Sequence, residues 1–84
     1  MRRGLDVFVG VVSDEKAPTA EVAARIMQVK GVERVYELTG NFDIMVQASS
    51  DSASALNGVI ENIRACEGVV SSTTYLVLEA HENR

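Results

Sequence analysis

Apolar residues along this chain switch between two spacings, and the order of the switches predicts a fold. Leu5, Val7, Val9 and Val11 alternate along one side of a strand, with Phe8 and Val12 on the other. A strand that is apolar on both sides belongs at the centre of a sheet covered on both faces. The spacing then turns helical at Val22, Ala23, Ile26 and Val29. Pro18 suits the start of that helix, Thr19 is a possible N-cap, and Lys30-Gly31 closes it with a cation and a left-handed cap. Alternation returns over Val32 to Thr39 and over Phe42 to Ser49. Between them Gly40-Asn41 predicts a two-residue hairpin turn. In the third strand Phe42, Ile44 and Val46 are expected to point towards the helices, and Asp43, Met45 and Gln47 away from them.

The pattern then repeats. Asp51 or Ser52 caps a second helix with its apolar face at Leu56, Val59, Ile60 and Ile63. Gly68 ends the connection and Val69 to Glu79 forms the last strand. Ile26-x-x-Val29-x-Gly31-Val32 answers Ile60-x-x-Ile63 with Gly68-Val69. The order βαββαβ is α+β. Right-handed crossovers place both helices on one face of a four-stranded antiparallel sheet, the ferredoxin-like architecture.

Length decides what the other sheet face does. The 84 residues make one domain, 1–84, which buries only about 60% of the surface its unfolded form exposes. Such folds lean on disulfides, a metal or self-association. Cys66 is the only cysteine, and Cys66 with His81 supplies at most two of the four ligands of a structural zinc site. Self-association remains, and Phe8, Val12 and Met45 on the second face predict a homodimer formed through the sheet, of the dimeric α/β barrel type.

Charge narrows the partners. The net charge is −4 and the eight Lys and Arg residues are scattered, which argues against direct nucleic-acid binding. No apolar run approaches the roughly 20 residues of a membrane span. Arg2-Arg3 is followed by Gly4-Leu5-Asp6 where a signal peptide would be apolar, so a cytoplasmic protein is expected.

Three pieces in register with this pattern are Gly31-Val32-x-x-Val35, Thr39-Gly40-x-Phe42-Asp43, and Gly68-Val69 leading into a threonine-bearing strand. With them the chain resembles the effector-binding (RAM) domain of the Lrp/AsnC family over essentially Val7 to Leu78. Full-length members carry an N-terminal helix-turn-helix. Here the sheet starts within the first few residues, so the chain looks like a stand-alone RAM protein. The resemblance implies dimers that assemble further and hold an amino acid or related small metabolite near the interface between dimers.

A free amino acid needs donors for its carboxylate, an acceptor for its ammonium and a wall for its side chain. The turn amides of Gly40 and Asn41 can supply donors, and Asp43 can accept. The family's Gly-x-x-Asp motif falls on Gly40, Asn41, Phe42 and Asp43. Gly40 and Asn41 are also what a hairpin requires with no ligand present, and Asp43 can instead pair with Arg34 or a partner-chain lysine. Family threonines match Ser72 and Thr74, the first being serine here. These two share a face with Leu76 and Leu78, opposite to Asp43, and ordinary β-propensity also explains them.

A dimeric α/β barrel enzyme is the first rival function. Tyr36 and Asp43 are expected on opposite faces, and the single histidine is terminal. The expectation is therefore a regulator of transcription or amino-acid metabolism rather than an enzyme, with no cofactor and no metal. Its partners are a small metabolite, copies of itself and full-length Lrp/AsnC homologues. A ligand-free assembly partner of those homologues and an ACT-type sensor are the other rivals.

Overall fold

The computed structural model describes residues 4–83; Arg2 and Arg3 lie outside the described residues. The elements are β1 (Leu5–Ser13), α1 (Thr19–Met27), β2 (Val32–Glu37), β3 (Ile44–Ser50), α2 (Ala53–Arg64) and β4 (Val69–Leu76). The strands form one antiparallel sheet in the order β2-β3-β1-β4. This is the ferredoxin-like βαββαβ fold. Val7, Val9 and Val11 of β1 and Ile44, Val46 and Ala48 of β3 are buried at the sheet centre. They pack with Val22 and Ile26 of α1 and with Leu56, Val59 and Ile63 of α2 in one core. Each such aliphatic side chain contributes about 1.5–3 kcal/mol on burial.

The two halves are related more closely than the apolar spacing suggests. Val9 pairs with Val46 across β1 and β3, and thirty-seven residues separate them in the chain. The same interval relates Val22 to Val59, Ile26 to Ile63, Val29 to Cys66 and Gly31 to Gly68. The turns after the helices share one hydrogen-bond pattern. Val29 N–H donates to Ile26 O (3.0 Å) and Val32 N–H to Val29 O (3.1 Å); Cys66 N–H donates to Ile63 O (3.1 Å) and Val69 N–H to Cys66 O (3.2 Å). The repeat therefore runs from Ile26 and Val29 to Ile63 and Cys66, not to Ile60 and Ile63. Burial of the thiol in this turn pushes Cys66 above its usual pKa, with the nearby Arg25 opposing.

Other boundaries also differ from the sequence reading. α1 stops at Met27 with Gln28 as its C-cap, three residues before Gly31. Val29 is needed in the turn as an apolar plug, so the helix cannot continue through it. Pro18 is the N-cap and Thr19 the first helical residue, with no side-chain cap bond. In α2 the cap is Ser52, whose Oγ accepts from Ala55 N–H at 3.1 Å. β4 ends at Leu76 rather than Glu79.

Each glycine of the repeated turn has positive φ, 101° at Gly31 and 97° at Gly68, and each meets the opposite helix. A Cβ on Gly68 would lie 2.6 Å from Val22 Cγ2, and one on Gly31 would lie 2.8 Å from Val59 Cγ2. Gly68→Ala is therefore expected to destabilise the fold by about 1–3 kcal/mol, through backbone strain and overpacking together. A shift of the urea midpoint towards lower denaturant checks this; an unchanged midpoint would show that the turn can relax.

Candidate functional site

The segment between β2 and β3 is a wider hairpin than Gly40-Asn41 suggests. Leu38 N–H donates to Asp43 O at 2.8 Å, so four residues, 39–42, form the loop rather than two. Gly40 takes φ of 131° there. The pairing stops at this rung because Asp43 is already engaged with β1. Its N–H donates to Val11 O at 2.9 Å, and its Oδ2 accepts from Ser13 N–H at 2.8 Å. A carboxylate accepting from a backbone N–H is one of the stronger hydrogen bonds available. Asp43 thus pins the hairpin to the end of β1. Within the chain it does not pair with Arg34, whose Nη1 instead reaches Tyr36 Oη at 3.4 Å.

Phe42 turns away from the helices, against the alternation expected of it. It lies in the loop rather than in β3, so strand alternation does not extend to it. Its ring sits over Gly10 of the central strand, where a Cβ would come within 2.7 Å of the ring carbons. The ring also meets Tyr75 edge-on, with centroids 6.4 Å apart and planes at 78°. Gly10 and Tyr75 escaped the sequence reading. The available signal was a glycine inside a valine-rich strand, which marks a close approach.

The face opposite the helices is aromatic. Tyr75 pairs with Phe8 across β1 and β4, and Tyr36 pairs with Met45 across β2 and β3. Strict alternation puts Tyr36 on the helix side, opposite Asp43. A bulge between Val32 and Arg34 changes that, setting Val32 opposite Ala48 and Val35 opposite Val46, so Tyr36 faces outward. Phe8, Tyr36 and Tyr75 keep 36%, 42% and 48% of their surface exposed, which makes a patch of some size.

Ser72 and Thr74 pair with Val11 and Val9, whose side chains face the helices. They therefore lie across the sheet from Phe42 and Tyr75. Within one chain the six candidates form one group of four, Gly40 to Asp43, and a separate pair. Among the described residues no cluster of three His, Cys, Asp or Glu could hold a metal ion.

Residues 6–84 match the Lrp/AsnC ligand binding domain. The chain belongs to that family. It is 37% identical over 71 residues to the HTH-type transcriptional regulator LysM of Sulfurisphaera tokodaii, covering 84% of this chain and 51% of the regulator. It is 36% identical over 75 residues to homocitrate synthase of Saccharolobus islandicus, covering 89% of this chain and 16% of the enzyme. The fold superposes on E. coli AsnC with a TM-score of 0.83 at 23% identity, over 95% of this chain and 54% of that one. It also superposes on a Neisseria meningitidis transcriptional regulator in complex with L-methionine, with a TM-score of 0.82 at 24% identity over 96% of this chain and 54% of the other. The chain thus spans about half the length of these regulators. As a member of the family it is a ligand-binding domain. No helix among the described residues is long and apolar enough to cross a membrane.

The notch at Gly10 gives a direct check of the Phe42 placement. Gly10→Ala should push the ring off the strand and remove the edge contact with Tyr75, read as loss of the Phe42–Tyr75 nuclear Overhauser effects. The cost should fall when Phe42→Ala is combined with it, because the two substitutions share one contact. Additive costs would place the ring elsewhere.

Proposed function

We propose that this chain senses an amino acid or closely related metabolite at the Gly40–Asp43 hairpin and does so as a self-associated oligomer. The observation that carries the reading is the family's ligand-binding domain running through residues 6–84, with a hairpin loop held at a defined position by Asp43. Gly40 and Asn41 offer backbone N–H groups to a carboxylate. Asp43 accepts from Ser13 through Oδ2, leaving Oδ1 for an ammonium. Phe42 supplies an apolar wall beside them. Ser72 and Thr74 belong to the site only when a second chain brings its own β4 to the hairpin, since within one chain they face the other way. Dimerisation through the aromatic sheet face covers Phe8, Tyr36, Met45 and Tyr75, and further assembly of dimers closes the site.

The reading as a binding module rather than an enzyme draws on the two relatives. A region similar to this chain occurs in one transcriptional regulator and in part of one synthase. A domain used in both settings acts by binding, with its output lying in what it touches. Full-length Lrp/AsnC homologues are partners of that kind. One observation favours the second reading, a ligand-free assembly partner: the Asp43 carboxylate is already half engaged by Ser13.

A thermal-shift panel of L-amino acids separates the two. A ligand at a hundred times its dissociation constant adds about 2.7 kcal/mol when it binds only the folded state. Asp43→Asn keeps an acceptor for Ser13 N–H but removes the charge, so it should retain parental stability and lose most of the ligand-induced shift. Asp43→Ala should lose the shift and about 1.5–3 kcal/mol of stability as well. A full shift in the Asn variant would sink Asp43 as the ammonium partner, and a flat panel would move the reading to the assembly partner. Separately, Phe8→Glu should turn the dimer into monomer in sedimentation equilibrium; an unchanged mass would place self-association on another surface.

A further inference from the structure

The internal repeat creates two equivalent clefts, one beside each glycine turn, and their contents differ. In the first, Arg25 of α1 lies along the cleft and its Nη1 donates to Glu67 O at 3.0 Å. About 300 Å³ remains open there, with Glu21 and Gly68 among the lining residues. In the second, about 660 Å³ is open against α2, lined in part by Lys30, Gly31, Asp51, Gly58, Val59 and Asn62. The thirty-seven-residue interval sets Asn62 at the place of Arg25, Gly58 at that of Glu21, and Lys30 at that of Glu67. The two helices end alike, with C-caps of φ −80° after both. The side chains are smaller at two of these places, Gly58 for Glu21 and Asn62 for Arg25.

Packing does not require that space. A Cβ on Gly58 would meet nothing within 4 Å, and a glycine inside a helix costs about 1 kcal/mol against alanine. Where Arg25 supplies a guanidinium from within the chain, Asn62 stops short. Two opposite charges, Lys30 and Asp51, line the vacant cleft, and Val59 gives it an apolar wall.

We propose that this cleft is a second binding site, separate from the hairpin, for a small zwitterion. Its cationic end takes the position that Arg25 fills in the first cleft, close to Asp51 and the main chain of Lys30. Its carboxylate is met by the Lys30 ammonium. The filled cleft serves as the template, so L-arginine is the probe that copies it most directly, and agmatine is the probe that lacks the carboxylate.

The test is a titration of the ¹⁵N-labelled protein with each probe, followed at assigned amides. L-arginine should shift Gly31, Gly58 and Asn62 in a saturable way with a dissociation constant in the millimolar range or below, and agmatine should bind several-fold more weakly. Asn62→Arg installs the residue of the filled cleft at an exposed helical position that tolerates it, and should weaken these shifts at least tenfold while the protein stays folded. Shifts confined to Gly40 and Asn41 would make arginine a ligand of the hairpin and overturn the cleft as a site. Undiminished shifts at Gly31 and Gly58 in the Asn62→Arg variant would overturn it too, as would no saturable shift at Gly31, Gly58 and Asn62 in the parent. Failure of the cleft leaves the hairpin proposal standing, because that one is read at Gly40 and Asn41.

Discussion

Burial of the β1–β3 pair beneath two helices is the constraint from which the rest of the molecule follows. Val7, Val9, Val11, Ile44, Val46 and Ala48 retain no more than 1% of their surface. A one-residue slip of either strand would turn its three outward, so the register is set strongly here. With Val9 opposite Val46, the two halves of the chain meet about a local two-fold axis. Each helix then crosses over the other half, and each glycine turn receives a valine from the opposite helix. Those interlocked turns fix where β2 and β4 begin.

The symmetry of the backbone does not extend to the surface chemistry. One link joins the halves, the β2–β3 hairpin, and it has no counterpart elsewhere in the chain. Asp43 ties this link to Ser13, and Phe42 ties it to Gly10 and Tyr75. The hairpin therefore touches β1 at three residues, Gly10, Val11 and Ser13, and β4 at Tyr75. Its shape is coupled to the face opposite the helices, where Phe8 and Tyr36 are also exposed. A ligand that moved the hairpin would be felt on that face, since Phe42 belongs to both.

The edge strand β4 carries a different burden. Ser72 and Thr74 stand on the helix side but at the sheet margin, and Thr74 and Leu76 remain exposed there. An uncovered edge offers unpaired backbone groups and invites a neighbour. For a chain this small, whose own core is limited by its surface-to-volume ratio, both the aromatic face and this edge are surfaces whose burial would add stability.

Element order, helix faces and the two-sided character of β1 were legible in the sequence because they rest on local spacing. Val22 and Ile26, or Leu56, Val59 and Ile63, point inward for the same geometric reason in any context. Local spacing also exposed the duplication, though in the wrong register, since Ile60 competes with Ile63 as the match to Ile26. Tertiary structure alone decided the rest. The bulge at Val32–Arg34 reversed Tyr36, because a sheet register answers to its partner strand and not to alternation. Phe42 went to the open face because Gly10, thirty-two positions earlier, leaves room for a ring. Asp43 became an anchor because Ser13 presents an N–H to it across the sheet. Such contacts join residues far apart in the chain, and no periodicity within a segment encodes them.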